Sequence, residues 1–217
     1  MLKILLISFG LIFMSAISPV TMDTHDRMQS IKIDGTINHD EWSGALKKDL
    51  NGTFIYFKTD DKNLYVAVKS NRNGLGHVCL YDGDSVYVLH ASASIGGVAY
   101  SKDKNEQWTC NQQFIWQLKG ISDAESAVQE MKIHFDQFKW VANTTSLGTP
   151  GHKEFVISRK FRKKDIQSVI IVEAGNPMAP KIFPENIEDG SKNFQLLMGS
   201  PPASLLFKPA EWMSAGD

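Results

Sequence analysis

Trp108 is the side chain in this sequence best placed to bind a ligand through an aromatic ring. It follows a wholly polar run at residues 101–107, and Tyr100 precedes that run. Sugar rings stack their C–H faces on flat, exposed aromatic surfaces, and nearby polar groups bind their hydroxyls. The pattern therefore predicts a carbohydrate site that includes Trp108 and Tyr100. The alternative is a half-buried packing role, which is the commoner fate of a lone tryptophan.

Arg72 and His90 are two further candidates for ligand contacts. Arg72 stands in a loop-like run of asparagines and glycines at residues 71–76, where its guanidinium could donate hydrogen bonds or the run could simply connect two strands. His90 ends a predicted strand two residues before Ser92, a pair that invites a hydrolase interpretation. The sequence has no Gly-x-Ser-x-Gly nucleophile elbow, so no catalytic role is assigned to either residue.

The acidic residues and histidines show no spacing that is diagnostic of a metal or haem site. The sequence contains neither an EF-hand loop, nor a His-Glu-x-x-His motif, nor a Cys-x-x-Cys-His haem attachment motif. The acidic runs 60–61 and 82–84 have enough carboxylates for calcium, but both are also explained as turns. We therefore predict a protein that is not an enzyme and that needs no cofactor.

Composition and charge exclude several classes of protein. The chain has 217 residues, 42% of them hydrophobic, and its 23 basic and 24 acidic residues give a formal net charge of −1. This is an ordinary globular composition, so a disordered or fibrous chain is excluded. A nucleic-acid binder whose affinity comes from neutralised phosphates is excluded as well. The length predicts one domain.

The first 18 residues are predicted to be a secretory signal peptide. Lys3 is their only charge, an apolar run extends over residues 4–14, and small residues follow at Ser15, Ala16 and Ser18. The apolar run is short for a bilayer span, and no later apolar run has spanning length. We expect a mature chain of residues 19–217 in the periplasm or outside the cell, with no transmembrane segment.

Export would place the two cysteines, Cys79 and Cys110, in an oxidising compartment. They could form one disulfide there, or remain two buried thiols that pack as small apolar residues.

Short strands and turns dominate the segments that must position these candidates. Runs such as 53–58 and 64–69 are rich in β-branched and aromatic residues, and Asp82-Gly83 is a hairpin signal between two more strands. Ile37 and Trp42 are spaced as a hydrophobic staple around a short helix start at Asn38, which predicts a structural role for Trp42.

One helix and a proline-rich tail complete the predicted architecture. A capping box at residues 122–125 opens a helix that extends to about residue 138. The apolar stripe of this helix consists of Ala124, Val128, Met131, Phe135 and Phe138. Six of the eight prolines lie between residues 177 and 209, which predicts an extended wrap from about residue 176. Together these elements predict an antiparallel β-sandwich, immunoglobulin-like or jelly-roll-like, with one amphipathic helix.

Three motifs in the first third of the chain resemble the opening of family 9 carbohydrate-binding modules, which belong to the DOMON-like group of β-sandwiches. They are Ile33-Asp34-Gly35, then Asp40-Glu41-Trp42 with Ala45, then the aspartate turn and strand at residues 60–68. The similarity covers about residues 31–70. It implies a sugar held between aromatic rings and calcium ions that brace the scaffold. DOMON-like proteins also include haem-binding cytochrome domains with Met and His axial ligands.

These observations lead to one expectation and two alternatives. We expect an exported, non-catalytic module that binds a carbohydrate or glycan, with Trp108, Tyr100, Arg72 and His90 as the candidate contacts. Bound calcium is implied only by the resemblance to carbohydrate-binding modules. The alternatives are a haem-binding or redox DOMON-like domain and a small exported hydrolase.

Overall fold

The computed structural model describes residues 31–70, 76–92, 95–114, 125–144, 151–173, 179–193 and 201–216. The described residues form one α-helix, α1 (Glu125–Phe138), and fifteen short strands. The strands are β1 (Leu46–Leu50), β2 (Thr53–Thr59), β3 (Asn63–Lys69), β4 (Gly76–Tyr81), β5 (Ser85–Ala91), β6 (Ile95–Lys102), β7 (Trp108–Phe114), β8 (Trp140–Thr144), β9 (His152–Ser158), β10 (Lys160–Phe161), β11 (Lys164–Asp165), β12 (Ser168–Glu173), β13 (Lys181–Phe183), β14 (Ser204–Leu205) and β15 (Met213–Ser214).

Two antiparallel sheets contain almost all of these strands. The smaller sheet has the order β1-β2-β3-β9-β8. The larger sheet has the order β13-β12-β4-β5-β6-β7-β14. On the same edge of β12, β13 pairs with the second half of the strand and β15 pairs with the first half. Strands β10 and β11 form a separate small hairpin. The predicted mostly-β, antiparallel sandwich with one helix is confirmed.

The main hydrophobic core lies between the two sheets. Side chains alternate between the faces of a strand, so every second residue enters this core. On the smaller sheet the core residues include Ile55, Val66 and Phe155, and on the larger sheet they include Leu80 and Leu89, all almost fully buried.

A second hydrophobic cluster covers the opposite face of the larger sheet. Cys79 and Val88 belong to it, while their chain neighbours Leu80 and Leu89 belong to the main core. Phe207 and Trp212, from the C-terminal tail, pack on this outer face. The larger sheet is therefore covered on both faces, and residues from the proline-rich end of the chain supply part of the cover.

Helix α1 packs on the core through its C-terminal half. Met131, Phe135 and Phe138 contact the main core as the predicted stripe requires. Val128 is 62% exposed, so the prediction that the stripe is buried as far as this residue is wrong. The capping box and Ala124 lie outside the residues whose side chains are described. No helix in the described part of the chain is both long and apolar enough to span a bilayer.

The segment that contains Trp42 consists of turns, so the predicted short helix at Asn38 is wrong. The Trp42 amide donates to the carbonyl of Asn38 at 3.2 Å, but the Asn38 side chain donates to Glu41 instead of capping backbone amides. The structural role predicted for Trp42 is confirmed, since this residue is only 4% exposed.

A buried carboxylate anchors this segment to the smaller sheet. Glu154 of β9 accepts hydrogen bonds from the Trp42 indole at 3.0 Å and from the amides of Gly35 and Asp34 at 2.8 and 3.2 Å. Glu154 is fully buried, and burial raises the pKa of its carboxyl to about 7 against the pull of these hydrogen bonds. The Ile-Asp-Gly turn and Trp42 thus share one anchor.

Candidate binding groove

A groove of about 480 Å³ lies where the C-terminal tail crosses the outer face of the larger sheet. We call it the tail groove. It brings together residues from β4, β6 and β7, from β12 and the residue before it, and from the tail. They are Tyr81, Lys102, Trp108, Gln167, Ser168, Phe207, Pro209, Ala210, Trp212 and Ser214. Its volume is in the range typical of small-molecule sites.

Four aromatic rings form the wall of the tail groove in a continuous edge-to-face series. The ring centroids of Tyr81 and Trp108 are 6.1 Å apart with an interplanar angle of 87°. Trp108 and Phe207 are 6.0 Å apart at 78°, and Phe207 and Trp212 are 6.0 Å apart at 89°. Edge-to-face contacts of this kind fix ring orientation as well as adding stability.

Trp108 is a wall of the groove and not the exposed platform that the sequence predicts. Only 3% of the residue is exposed, and its indole N–H donates to the carbonyl of Phe207 at 3.1 Å. The expectation of an exposed flat ring is wrong because a tail segment about a hundred residues later in the sequence covers the strand. A ligand contact by Trp108 stays a prediction.

Asp189 fixes the tail that closes the groove. This buried residue accepts hydrogen bonds from the Trp212 indole at 2.7 Å and the Lys208 amide at 3.1 Å. Its other oxygen accepts from the amide and hydroxyl of Ser191. A Cβ on Gly190 would stand 2.8 Å from the carbonyl oxygen of Leu206, so only glycine allows the tail to approach this closely. The groove is therefore preformed, which lowers the entropic cost of binding.

The polar groups of the tail groove are mostly neutral. The Lys102 amino group lies 5.7 Å from the centre of the Trp108 ring and pairs with Glu106 at 2.6 Å. The Ser168 hydroxyl donates to the carbonyl of Pro209 at 2.9 Å, and Gln167 is exposed. None of the described lining residues is acidic.

Tyr100 lies beneath the tail, outside the groove lining. It is fully buried, its hydroxyl donates to the carbonyl of Pro202 at 3.0 Å, and its ring is 5.2 Å from that of Phe207. Burial raises the pKa of its phenol, and the thiols of Cys110 and Cys79 add to the effect. Tyr100 and Trp108 belong to the same buried cluster, but Tyr100 has no exposed surface for a ligand.

His90 is buried against His77, its direct cross-strand partner. The two Nδ1 atoms are 2.9 Å apart, and the residues are 2% and 0% exposed. Burial lowers the pKa of His77 to about 3 and, together with the neighbouring His77, lowers that of His90 well below its usual value. Both rings are neutral at pH 7, so one Nδ1 donates and the other accepts. A buried His90 argues against the hydrolase alternative.

Sequence reasoning missed His77, although the hairpin could have indicated it. The Asp82-Gly83 signal places the turn correctly, but the pairing of Tyr81 with Val86 defines a four-residue loop. Carrying that register back along the strands aligns His77 with His90.

Lys153 is a second polar residue buried near the His77–His90 pair, and it lies between the two sheets. Lys153 alternates with the core residues Phe155 and Ile157 on β9, so its side chain enters the core although it is a lysine. Only 1% of the residue is exposed. Its stem occupies the space where Gly76 lacks a side chain. Burial lowers the pKa of the Lys153 amine to about 8, while Glu173 opposes that shift. No sequence motif marks this residue; strand alternation is the only signal.

Arg72 lies outside the described residues, so the structure does not place the predicted contact. His90 on β5 and Tyr100 on β6 are not among the groove lining, and of the candidates placed here only Trp108 lines the groove.

The two cysteines are free thiols, so of the two alternatives the disulfide is not the one formed. Cys79 is on β4 and Cys110 on β7, with β5 and β6 between them. Three strand spacings of about 4.8 Å separate the two backbones. A disulfide needs Cα atoms no more than about 7 Å apart, which this arrangement does not provide.

The acidic turns are occupied by hydrogen bonds from their own loops. Asp60 accepts from the amides of Lys62 and Asn63, both at 2.7 Å, and from the Tyr65 hydroxyl. Asp82 accepts from two amides of its turn and from the Tyr87 hydroxyl in the same way. Within the described ranges, no three His, Cys, Asp or Glu side chains are grouped as metal ligands.

Comparison with known proteins does not identify the chain. No protein-family model, curated protein or solved structure matches it. The resemblance of residues 31–70 to family 9 carbohydrate-binding modules therefore stays a prediction. What the structure adds is a physical role for that motif, since Gly35 and Trp42 are both bound by Glu154.

Proposed function

We propose that this protein is an exported, non-catalytic module that binds a neutral carbohydrate in the tail groove. The observation that carries the proposal is the groove itself, in which four aromatic rings stand beside uncharged polar groups. Sugars present apolar C–H surfaces and hydroxyls together, and a site for them needs both kinds of contact.

The tail groove also supports binding better than catalysis. Of its described lining residues only Lys102 is charged, and the Lys102 amino group is paired with Glu106 at the surface. General acid–base chemistry on a glycosidic bond requires two carboxyl groups that flank it. The described lining supplies none.

A glycan panel tests the proposal. Neutral oligosaccharides are titrated into the full chain, with binding heat and tryptophan fluorescence as the two measurements, because Trp108 and Trp212 both line the groove. Gln167→Ala and Lys102→Met remove polar contacts at exposed positions, and each should weaken binding about three- to tenfold. Lys104→Met is the matched control, since Lys104 is exposed on the same turn but does not line the groove.

Two results would reject this proposal. One is the absence of binding to every neutral glycan in the panel. The other is binding that neither Gln167→Ala nor Lys102→Met weakens. Incubating the bound glycan with the protein and measuring new reducing ends checks the non-catalytic part, and sequencing the N-terminus of the protein purified from its host checks removal of residues 1–18.

A further inference from the structure

A second groove, of about 400 Å³, lies on the outer face of the smaller sheet. We call it the lysine groove. The turns at residues 37–45 form one side, and strands β1, β2 and β3 form the floor and the other side. Tyr56 and Trp42 supply its aromatic surface, with ring centroids 5.8 Å apart, and Asn38 and Ser43 supply neutral polar groups at its rim.

Two lysines on neighbouring strands give this groove its charge. Lys47 is the cross-strand partner of Tyr56, and Lys69 is the cross-strand partner of Phe54. The Lys47 amino group lies 4.8 Å from the centre of the Phe54 ring and 5.6 Å from that of Tyr56. Lys69 is half-buried at the groove wall. A third amine, that of Lys58, is held nearby by the carbonyl of Ser43 at 2.9 Å.

Few acids offset these charges. No described lining residue is Asp or Glu, and neither Lys47 nor Lys69 forms an ion pair with another described residue. Three acids are close to the groove but outside its described lining. Asp40 is more than nine-tenths exposed and lies beside His39, which lines the groove. Asp49 accepts from the Gly52 amide at 2.8 Å, and Glu41 accepts from the Asn38 side chain at 3.4 Å. Glu154 is buried behind Trp42, where it is occupied by three N–H donors. The lysine groove is therefore locally positive on a protein with a formal net charge of −1.

We infer that the lysine groove binds an acidic saccharide, with a uronic acid carboxylate between Lys47 and Lys69 and the sugar ring against Tyr56. Ammonium–carboxylate hydrogen bonds are about twice as strong as neutral ones, and the aromatic floor keeps part of the site free of water. A bare inorganic anion would contact the amines alone and make no use of the accessible part of the Tyr56 ring. This site is separate from the tail groove and rests on the proposed function only in that both ligands are saccharides.

The test compares an oligogalacturonate with the same oligosaccharide fully methyl-esterified, because the two differ only in charge. The acid should bind to the full chain at least tenfold more tightly than the ester, and its affinity should fall as salt rises. Lys69→Gln should weaken binding of the acid about tenfold, and Tyr56→Leu should weaken it several-fold. Lys104→Gln, at an exposed position on the other sheet, is the matched control. Thermal unfolding shows that each variant is folded.

Four results would overturn the inference: no binding of the acid, equal affinity for acid and ester, full affinity in Lys69→Gln, or inorganic sulfate that competes as strongly as the oligogalacturonate. Lys102→Met separates the two sites. If it weakens binding of the acid, the acid is in the tail groove and this inference fails. If neutral glycans do not bind but the acid binds and depends on Lys69, the tail-groove proposal fails and this inference stands.

Discussion

Replacing Glu154 by glutamine should change the way in which stability depends on pH. Glu154 is fully buried, and burial raises the pKa of its carboxyl to about 7 from an ordinary value of 4.5. The folded state therefore holds a proton that the unfolded chain releases between pH 4.5 and 7. The stabilising contribution of Glu154 is complete below pH 4.5 and is lost as the pH rises to about 7.

The magnitude follows from the same shift. Each pKa unit corresponds to about 1.4 kcal/mol, so the change from 4.5 to about 7 amounts to roughly 3 kcal/mol. Glutamine cannot ionise, and its amide group cannot accept the hydrogen bonds that reach both carboxylate oxygens. The variant should also lose about 1–3 kcal/mol at every pH through donors left unsatisfied.

The buried histidines change stability in the opposite direction over part of this range. Burial lowers the pKa of His77 to about 3 and that of His134 to about 4. Their contributions are complete above pH 6.5 and are lost as the pH falls toward these values. The stability of the wild-type protein alone therefore does not isolate Glu154, and the informative quantity is the difference between wild type and Glu154→Gln at each pH.

Urea unfolding followed by tryptophan fluorescence, at steps from pH 4 to pH 8, measures that difference. The stability advantage of the wild type should be largest at the acid end and should shrink by roughly 3 kcal/mol toward pH 7. Glu130→Gln, an exposed change on α1, supplies the baseline. An advantage that stays constant or grows as the pH rises would show that the carboxyl is ionised when buried, and would refute the reasoning.

Three further predictions concern the tail, the thiols and the helix. Asp189→Ala should cost about 2–4 kcal/mol in urea unfolding and expose the Trp212 indole, because it leaves several buried N–H groups unpaired; unchanged stability and fluorescence would contradict this. In native protein a thiol reagent should modify the half-buried Cys110 and spare the buried Cys79, whose pKa is raised by burial, and a reductant should not change the unfolding curve. His134→Phe should reduce the loss of stability between pH 6.5 and 4, because burial lowers the pKa of His134 to about 4. If the variant loses as much stability as the wild type over this range, burial of His134 is not the cause of that loss.

The local parts of the fold were accessible from sequence because short-range patterns determine them. The β-branched and aromatic residues of runs such as 53–58 and 64–69 predict strands that occur at Thr53–Thr59 and Asn63–Lys69. The Asp82-Gly83 turn occurs where its signal stands. The structural role of Trp42 was also predicted, although by a staple in a helix that is not formed.

The parts that depend on distant pairing were not accessible in the same way. The carboxylate that anchors Trp42 is 112 residues away in the sequence, and nothing local to either residue indicates the pair. Trp108 follows a polar run, which favours exposure, yet Phe207 covers it. Burial of a side chain is set by what packs on its strand, so a local pattern cannot determine it where a late tail supplies the cover.

A strongly shifted pKa can mark a catalytic group, but the strongest pKa shifts among the described residues belong to groups in the interior. His77, His90, Lys153 and Glu154 have pKa values moved by burial, and each is at most 2% exposed. A general acid or base must reach its substrate as well as have a suitable pKa. The described polar side chains that do line the grooves are instead amines, amides, hydroxyls and the imidazole of His39. With the most strongly shifted groups inside, and with aromatic rings, amines and uncharged polar groups at the openings, this division supports the proposed recognition of a ligand.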